Sequence, residues 1–247
     1  MPAPANPPRV IGHRGARSTA PENTLAGLRQ AVAEGASWVE FDVKLTSDGH
    51  PVLIHDETVD RTTNGKGKVA EMSLADIRAL DAGGWFGRRF AGEKVPTLDE
   101  ALELMSGLAM GFNLEIKPCP GREVETAKVA LERVRALWPS FRATPVISSF
   151  QHASLAAARD AVPGLPRGLL AERLPADWKK LAEELGCSFI HPGTRALTRE
   201  EVAAVKAAGY PMLVWTVNEP ARARELTAWG VDSIITDSPA AILAALQ

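Results

Sequence analysis

The sequence predicts a closed barrel of eight parallel strands that alternate with eight helices, a (β/α)8 barrel. The first observation is that short apolar segments alternate with longer amphipathic segments through most of the chain. The second is this order itself, because strands separated by helices pair in parallel through right-handed crossovers. The third is size, since eight such units fill about 250 residues when the sheet closes. An open, doubly wound sheet is the alternative.

The first half of the chain contains four of the predicted strands. They are Arg9–His13, Ser37–Val43, Met110–Lys117 and Pro145–Ser149. The helix after the first strand is predicted over Asn23–Glu34, because Pro21 precedes it and Gly35 ends it. A helix over about Glu123–Leu137 follows the third strand, and an alanine-rich helix from about His152 follows the fourth.

The second half repeats this pattern at a shorter spacing. Its predicted strands are Arg167–Leu170, Ser188–His191, Met212–Thr216 and Ser233–Thr236. A helix is predicted over Thr198–Ala208, where Thr198 and Glu201 have the spacing of a capping box. Another is predicted over Asn218–Trp229, and a glycine follows the end of both helices. The count over both halves is eight strands, each followed by a helix.

One long, loop-rich insertion interrupts this alternation, between about residues 44 and 97. It contains the turn sequences Thr46-Ser47-Asp48-Gly49 and Asn64-Gly65-Lys66-Gly67 and an extended run over Pro51–His55. Loops of more than about 15 residues in a compact domain are usually functional. The insertion follows the carboxyl end of the second strand, and barrels assemble their functional sites at that end. We therefore expect one domain over residues 1–247, with a site near this insertion.

Composition and charge exclude several classes of protein. The 28 lysines and arginines nearly balance the 30 aspartates and glutamates, whereas nucleic-acid-binding and membrane-docked proteins carry a basic surplus. Four prolines among the first eight residues exclude a signal peptide, and no apolar run reaches the ~20 residues of a membrane span. Two cysteines are too few for a disulfide-stabilised secreted fold. We expect a cytoplasmic protein with a short extended leader and no stable membrane association; a homodimer is compatible with the sequence.

Three carboxylates are predicted to meet inside the barrel. Alternation along two strands gives one common face to Trp38, Glu40 and Asp42 and another to Asn113, Glu115 and Lys117. The outer face of a closed barrel is covered by helices and must be apolar, so both polar sets face the interior. Glu40, Asp42 and Glu115 would repel one another unless a cation or a shared proton neutralises them, and oxygen ligands favour Mg²⁺ or Ca²⁺. The alternative is that they are salt-bridged strand ends with Lys117 as counter-ion.

Two histidines are placed where such a cation would be useful. His13 ends the first strand and precedes Arg14, while His55 ends the extended run inside the insertion. An imidazole can take or donate a proton near neutral pH. A divalent cation together with Arg14 and Lys117 could bind an anionic group, with phosphate the best fit. The cluster predicts metal-assisted phosphoryl transfer with acid–base catalysis by the two histidines.

A longer set of motifs follows in order along the chain. It consists of His13-Arg14-Gly15, Pro21-Glu22-Asn23-Thr24, Glu40-Phe41-Asp42-Val43, Thr46, Asp48-Gly49, His55-Asp56, Arg61-Thr62-Thr63-Asn64-Gly65, Asn113-Leu114-Glu115-Ile116-Lys117, Ser149-Phe150, Trp215-Thr216-Val217-Asn218 and Thr236-Asp237-Ser238-Pro239. In this order and spacing the motifs resemble the glycerophosphodiester phosphodiesterases. The resemblance covers nearly the whole chain and favours the compact cytosolic bacterial type.

The resemblance implies a TIM-barrel fold, one divalent cation as cofactor, Mg²⁺ or Ca²⁺, and a role for each matched residue. The catalytic histidine pair is matched by His13 and His55, and the metal-binding carboxylates by Glu40, Asp42 and Glu115. The cations that contact phosphate are matched by Arg14 and Lys117, and an aromatic residue at the pocket rim by Trp215. Glu22 and Asn23 match a loop that braces the turn after His13.

The implied reaction is hydrolysis of a glycerophosphodiester to sn-glycerol 3-phosphate and an alcohol such as choline, ethanolamine or glycerol. One histidine would deprotonate the nucleophile and the other would protonate the leaving alcohol; His13 is expected to be the base and His55 the acid. Direct attack by water and attack by the neighbouring glycerol hydroxyl, through a cyclic phosphate, both remain open. Two other functions compete, a barrel phospholipase that acts on lipid phosphodiesters and a non-catalytic anion- or metal-binding barrel.

Several other residues have a second interpretation. Phe150 and Trp85 could form apolar walls for the substrate, although packing within a loop is an equal alternative for Trp85. His191 ends its strand and could line the pocket, but the favoured interpretation is a residue at the rim with its hydrogen bonds satisfied. The stretch Gly65-Lys66-Gly67-Lys68 lacks the context of a phosphate-binding loop and predicts an exposed turn. No disulfide is expected between Cys119 and Cys187.

Overall fold

The structure is a computed structural model that describes residues 5–247, so part of the predicted extended leader, residues 1–4, lies outside the described residues. Its strands are β1 Val10–His13, β2 Trp38–Leu45, β3 Pro51–Leu53, β4 Gly111–Ile116, β5 Val146–Ser149, β6 Arg167–Ala171, β7 Phe189–Pro192, β8 Leu213–Val214 and β9 Ser233–Thr236. Its α-helices are α1 Leu25–Ala33, α2 Leu74–Ala79, α3 Leu98–Gly107, α4 Glu123–Leu137, α5 His152–Ala161, α6 Trp178–Leu185, α7 Arg199–Ala207, α8 Pro220–Trp229 and α9 Pro239–Ala245. Short 3-10 helices span Val69–Glu71 and Arg88–Phe90.

Eight of the strands form a parallel barrel in the order β7-β6-β5-β4-β2-β1-β9-β8. Two parallel bridges, Ile190 with Met212 and Gly193 with Trp215, join β7 to the chain around β8 and bring the two ends of the sheet together. The predicted (β/α)8 barrel is therefore confirmed, and the open-sheet alternative is wrong. β3 pairs antiparallel with the end of β2 and is not one of the eight.

The predicted boundaries of the strands and helices lie within two residues of the observed ones. α4 has the predicted bounds, and the predicted capping box of Thr198 and Glu201 begins α7. α8 begins at Pro220, two residues later than predicted, because a proline disfavours helical backbone at the residue before it and Glu219 is extended. β8 is shorter than predicted and consists of two residues.

Alternation along the strands separates two apolar regions. Outward-facing residues such as Phe41, Phe112 and Leu114 pack beneath the helices. Inside the barrel, an apolar level is formed by Ile11, Trp38, Val146, Phe189, Leu213 and Ile235. A Cβ atom at Gly111 would lie 2.2 Å from the Trp38 ring, so glycine at that position makes room for the indole. The apolar level fills the interior below the carboxyl ends of the strands.

The insertion is more ordered than its turn-rich sequence predicts. β2 extends to Leu45, so the first two residues assigned to the insertion belong to the barrel. The segment then contains β3, α2 and both 3-10 helices. Its apolar residues Val52, Ile54, Val59, Val69, Ile77, Ala82 and Val95 form a cluster, to which Cys119 is added from the loop after β4. These apolar residues are separated by turns and follow neither a period of 2 nor one of 3.6, which is why the sequence pattern did not reveal them.

Two further observations concern the chain as a whole. Cys119 and Cys187 are both buried and free. Within residues 5–247, no helix combines the length and the apolar character that crossing a membrane requires.

Candidate active site

Three buried carboxylates meet at the carboxyl end of the barrel. Asp42 on β2 and Glu115 on β4 are register partners, and Glu40 lies two residues before Asp42 on the same side of β2. Each offers an oxygen such that all three oxygens lie within 4.8 Å of one another. Such a group of oxygens suits a hard divalent cation.

The pKa values of two of these carboxylates are raised, so their ionised forms are disfavoured in this buried group. Burial raises the pKa of Glu40 well above its ordinary value, and the charges of Asp42 and Glu115 raise it further. Burial and the charge of Asp42 likewise raise the pKa of Glu115, to about 7. Asp42 Oδ1 is buried and, among the described residues, accepts no hydrogen bond. A buried acceptor without a donor costs free energy unless something binds it, so this oxygen fits the role of a metal ligand.

Two positively charged side chains lie beside the carboxylates. Lys117 Nζ lies 2.8 Å from Glu115 Oε1 and 3.7 Å from Asp42 Oδ1, and Arg14 Nε lies 3.1 Å from Asp42 Oδ2. Burial by itself would raise the pKa of Asp42, but Arg14 and Lys117 outweigh it and hold that pKa below its ordinary range. Lys117 is thus a counter-ion, as the alternative interpretation requires, yet burial and the neighbouring carboxylates still raise the pKa values of Glu40 and Glu115.

His13 reaches this cluster from the end of β1. Its Nδ1 lies 2.6 Å from Asp237 Oδ1, and its Nε2 lies 3.9 Å from Glu40 Oε2. The bond to Asp237 favours the tautomer with the proton on Nδ1, which leaves Nε2 to face the carboxylates. Burial lowers the pKa of His13 although the Asp237 bond works against it. Asp237 is itself held by Asn218, whose Nδ2 donates to Asp237 Oδ2 at 2.7 Å.

His55 has the same arrangement and comes from the insertion. Its Nδ1 lies 2.7 Å from Asp56 Oδ1. Arg61 donates to both oxygens of Asp56, from Nε at 2.7 Å and from Nη2 at 3.0 Å. Burial lowers the pKa of His55, while the charge of Asp42 works in the opposite direction. Each histidine therefore has one ring nitrogen fixed by a carboxylate and the other free to act.

The backbone after β1 is strained where it serves the site. Arg14 and Asn23 have φ angles of 50° and 53°, in the left-handed region that side chains other than glycine rarely adopt. In this conformation the Arg14 amide donates to Glu40 Oε2 at 3.2 Å, and Asn23 Nδ2 donates to Asp42 Oδ2 at 2.8 Å. Strain of this kind persists where the surrounding structure imposes it, often at functional sites.

Two adjacent cavities, which share five lining residues, open around these groups. The inner one has a volume of about 90 Å³ and includes His13, Arg14, Asn113 and Trp215 in its lining. The outer one has a volume of about 610 Å³ and is lined by Lys44, Asp56, Glu57, Ile116, Pro118, Ser149 and Gln151, among others. His55, Glu115, Lys117, Phe150 and Glu172 border both cavities. The rings of Phe150 and Trp215 meet edge to face, with centroids 5.4 Å apart.

A comparison with models of protein families identifies the family of this chain. Residues 13–241 match the model of the glycerophosphoryl diester phosphodiesterase family. The chain belongs to this family.

Individual members of the family are similar along nearly their whole length. A glycerophosphodiester phosphodiesterase from Caldanaerobacter subterraneus subsp. tengcongensis is 40% identical over 239 residues, which cover 95% of this chain and 96% of the relative. A glycerophosphodiester phosphodiesterase from Bacillus subtilis is 33% identical over 252 residues, with 95% of this chain and 85% of the relative covered.

Solved structures agree with this assignment. A phosphodiesterase from Oleispira antarctica, in complex with the product sn-glycerol 3-phosphate, superposes with a TM-score of 0.95 at 40% identity and covers 97% of this chain and 96% of its own. A putative glycerophosphoryl diester phosphodiesterase from Silicibacter pomeroyi superposes with a TM-score of 0.87 at 34% identity, with 99% and 94% covered. The resemblance inferred from the motifs is confirmed.

The structure brings the candidate residues of the sequence analysis together around the two cavities. They are His13, His55, Arg14, Lys117, Trp215, Phe150, Glu40, Asp42 and Glu115. Trp85, the other possible wall, is 42% exposed and packs against Phe86 on the insertion. The expectation for His191 is wrong. The side chain is fully buried in the barrel, because Gly168 on β6 leaves room for the ring. Neither ring nitrogen has a hydrogen-bond partner among residues 5–247.

Sequence reasoning missed the residues that hold the histidines. Asp56 and Asp237 were part of recognised motifs but received no role, and Arg17, Arg61 and Asn218 received none either. Two signals could have identified the aspartates. Asp56 directly follows a candidate catalytic histidine, and Asp237 directly follows Thr236 at the carboxyl end of a barrel strand, where functional residues concentrate.

Proposed function

We propose that this protein hydrolyses glycerophosphodiesters to sn-glycerol 3-phosphate and an alcohol, with His13 and His55 as acid–base catalysts and one divalent cation at Glu40, Asp42 and Glu115. One observation carries the proposal. Two histidines from different parts of the chain border the same triad of carboxylates, and each has its Nδ1 fixed on an aspartate. The family, and a relative that holds sn-glycerol 3-phosphate, support this substrate class.

The cation would be held by the three carboxylates. Their oxygens are hard ligands, and the buried Asp42 Oδ1 accepts no hydrogen bond within the described chain, so the residues fit Mg²⁺ or Ca²⁺. When bound, such an ion supplies positive charge that stabilises the phosphoryl oxygens as negative charge grows on them. Arg14 and Lys117, which both line the inner cavity, add to that charge from the protein itself.

The two cavities support an assignment of the histidines. His13 lines the inner cavity, while His55 lines both. The inner cavity would bind the glycerol phosphate half, against Trp215 and Phe150, and the alcohol would leave through the larger outer cavity. We therefore assign the base to His13 and the acid to His55, which protonates the departing alkoxide.

The outer cavity also bears on the choice of alcohol. Its volume of about 610 Å³ is ample for choline, ethanolamine or glycerol, and Phe150 gives it an apolar wall. We propose a broad range of small alcohols as leaving groups.

The remaining expectations form part of the same proposal. We propose that residues 1–247 act as one domain in the cytoplasm on a small-molecule diester, without nucleic acid or stable membrane association. The two buried free thiols support a reducing compartment.

The experiment is an assay of the purified protein on glycerophosphocholine, with and without EDTA. We expect sn-glycerol 3-phosphate to form, its formation to stop with chelator and to resume on addition of Mg²⁺ or Ca²⁺; comparing the two ions identifies the better one. Release of diacylglycerol from phosphatidylcholine vesicles would favour a phospholipase instead. Absence of turnover on all diesters, with cation binding retained, would favour a non-catalytic barrel.

A further inference from the structure

One buried carboxylate lies between the two histidine–aspartate pairs. The side chain of Glu22, in the loop between β1 and α1, is 1% exposed and receives hydrogen bonds from three arginines. Arg14 Nη1 and Arg17 Nε each donate to it at 2.8 Å, and Arg61 donates from Nη1 and Nη2, both at 2.8 Å. Burial by itself would raise the pKa of Glu22, but the three guanidinium groups hold it well below its ordinary value.

Two of these arginines also bind the aspartates that hold the histidines. Arg17 Nη1 lies 3.2 Å from Asp237 Oδ2, and the other oxygen of Asp237 holds His13. We call this path the barrel arm.

The second path begins at Arg61 and runs through the insertion. Arg61 donates to both oxygens of Asp56, which holds His55. We call this path the insertion arm. Both arms end on Glu22, so each catalytic histidine is three contacts away from the same carboxylate.

The charges of this network balance. Arg14, Arg17 and Arg61 carry three positive charges, and Glu22, Asp56 and Asp237 carry three negative ones. Charged groups held in a partly buried network depend strongly on their partners, because removing one partner leaves another charge uncompensated. Fully connected networks of this kind couple their members more strongly than separate pairs do.

The network joins residues of the barrel to residues of the insertion. His13, Arg17 and Glu22 belong to the barrel, whereas His55, Asp56 and Arg61 belong to the insertion. The forked bond between Arg61 and Glu22 therefore ties the insertion to the barrel at the point where their two histidines must act together.

We propose that Glu22 is a positioning residue that couples the two histidines, so that a change in one arm alters the ring at the end of the other arm. This inference rests on the proposed function for its kinetic test and is independent of it for its spectroscopic test.

The kinetic test compares Arg17→Lys, Arg61→Lys and the double variant on glycerophosphocholine. Lysine keeps the positive charge but cannot donate the paired hydrogen bonds with which a guanidinium group binds a carboxylate. Each single variant should lower kcat on the order of 10- to 100-fold with KM little changed, because orientation is lost and not substrate contact. The double variant should lose about as much as one single variant, and a loss equal to the product of the two would overturn the coupling.

Arg78→Lys is the matched control. Arg78 on α2 forks onto Glu100 on α3, at 2.8 Å and 2.7 Å, so it also ties the insertion to the barrel helices, but this pair leads to no histidine. We expect its kcat and KM to equal those of the wild type.

The spectroscopic test uses protein with 15N-labelled histidine and needs no substrate. The signals of His13 and His55 are assigned from their alanine variants. Arg17→Lys, in the barrel arm, should shift the ring signal of His55, and the same substitution in a Glu22→Gln background should not. An unmoved His55 signal in Arg17→Lys would overturn the proposal even if Glu22→Gln does not fold. If the wild type fails to hydrolyse any diester, the proposed function falls while this measurement still decides the coupling.

Discussion

The interior of the barrel has two levels of opposite character, and β2 contributes residues to both. The apolar level of Ile11, Trp38, Val146, Phe189, Leu213 and Ile235 lies below, and a charged level of Glu40, Asp42, Glu115, Arg14 and Lys117 lies above. On β2 the change occurs within one step of the alternation, from Trp38 to Glu40. The comparison teaches that stability and chemistry are separated along the barrel axis and not between different elements.

The two levels contribute opposite terms to the free energy of folding. Each large apolar side chain of the lower level stabilises the fold by roughly 1.5–3 kcal/mol through burial. The upper level buries like charges, and the raised pKa values of Glu40 and Glu115 show that their ionised forms are disfavoured there. The charged level is thus held in place by the packing around it, and substitutions in the two levels should have different consequences.

The largest effect is expected at His13, which faces the charged level. His13→Ala removes the proposed base, and general acid–base groups contribute roughly 10²- to 10⁴-fold to a rate. We expect kcat on glycerophosphocholine to fall by that factor while circular dichroism shows a folded protein, since the residue ends a strand and does not fill the core.

His152→Ala is its control, because His152 is an exposed residue at the start of α5. A His13→Ala variant that retains more than about a tenth of the wild-type kcat would remove His13 from the acid–base assignment.

The next effect is expected in the apolar level and should appear in stability alone. Phe189→Ala leaves a cavity among Trp38, Val146 and Leu213, and truncating a buried phenylalanine costs about 3–5 kcal/mol. Urea denaturation should show this loss in the free energy of unfolding, with kcat per folded molecule close to that of the wild type. Phe141→Ala, at a residue that is 79% exposed, should change neither. A fall in kcat without a loss of stability would contradict the separation of the levels.

A smaller effect is expected when one proposed metal ligand is neutralised. Glu115→Gln should weaken cation binding by at least about tenfold, measured by calorimetric titration of Mg²⁺ or Ca²⁺. Because the substitution also removes one of the mutually repelling carboxylates, the cation-free variant should melt no lower than the cation-free wild type. Glu132→Gln, on the exposed face of α4, is the control. Unchanged cation affinity in Glu115→Gln would exclude Glu115 as a ligand.

The smallest effect is a dependence of cation affinity on pH. Glu115 must be ionised to bind the cation, and its pKa is raised to about 7. Protons therefore compete with the cation as the pH falls through 7, and affinity at pH 6 should be about tenfold weaker than at pH 8. Titrations in buffers of different ionisation enthalpy should show proton release on binding near pH 7. Affinity that does not change between these pH values would contradict the raised pKa.

The location of the three carboxylates of the charged level could be predicted from the sequence alone. Alternation along β2 and β4 placed Glu40, Asp42 and Glu115 on the inner face, because residues two apart on a strand share a side. The arms that end on Glu22 could not be predicted in this way. Arg17 and Asp237 are separated by 220 residues, and Glu22 and Arg61 by 39, so no local period relates them.

His191 shows the same limit in the apolar interior. It was predicted to end its strand, at the rim and with its hydrogen bonds satisfied, but β7 continues by one residue to Pro192. Whether a ring at a strand end is exposed depends on the neighbouring strand, and here Gly168 provides the space that buries it. The ordered interior of the insertion was missed for a related reason, since its apolar residues meet only after several turns.

The sequence by itself determined the succession of strands and helices, the closed barrel and the residue types that face its interior, because hydrophobic periodicity and helix capping are local properties of the chain. The tertiary structure alone decided which carboxylate holds which histidine, how three arginines share Glu22 and which ring the barrel buries. Those outcomes depend on distances between strands and loops that are far apart in the chain, and the distances exist only once the barrel has closed.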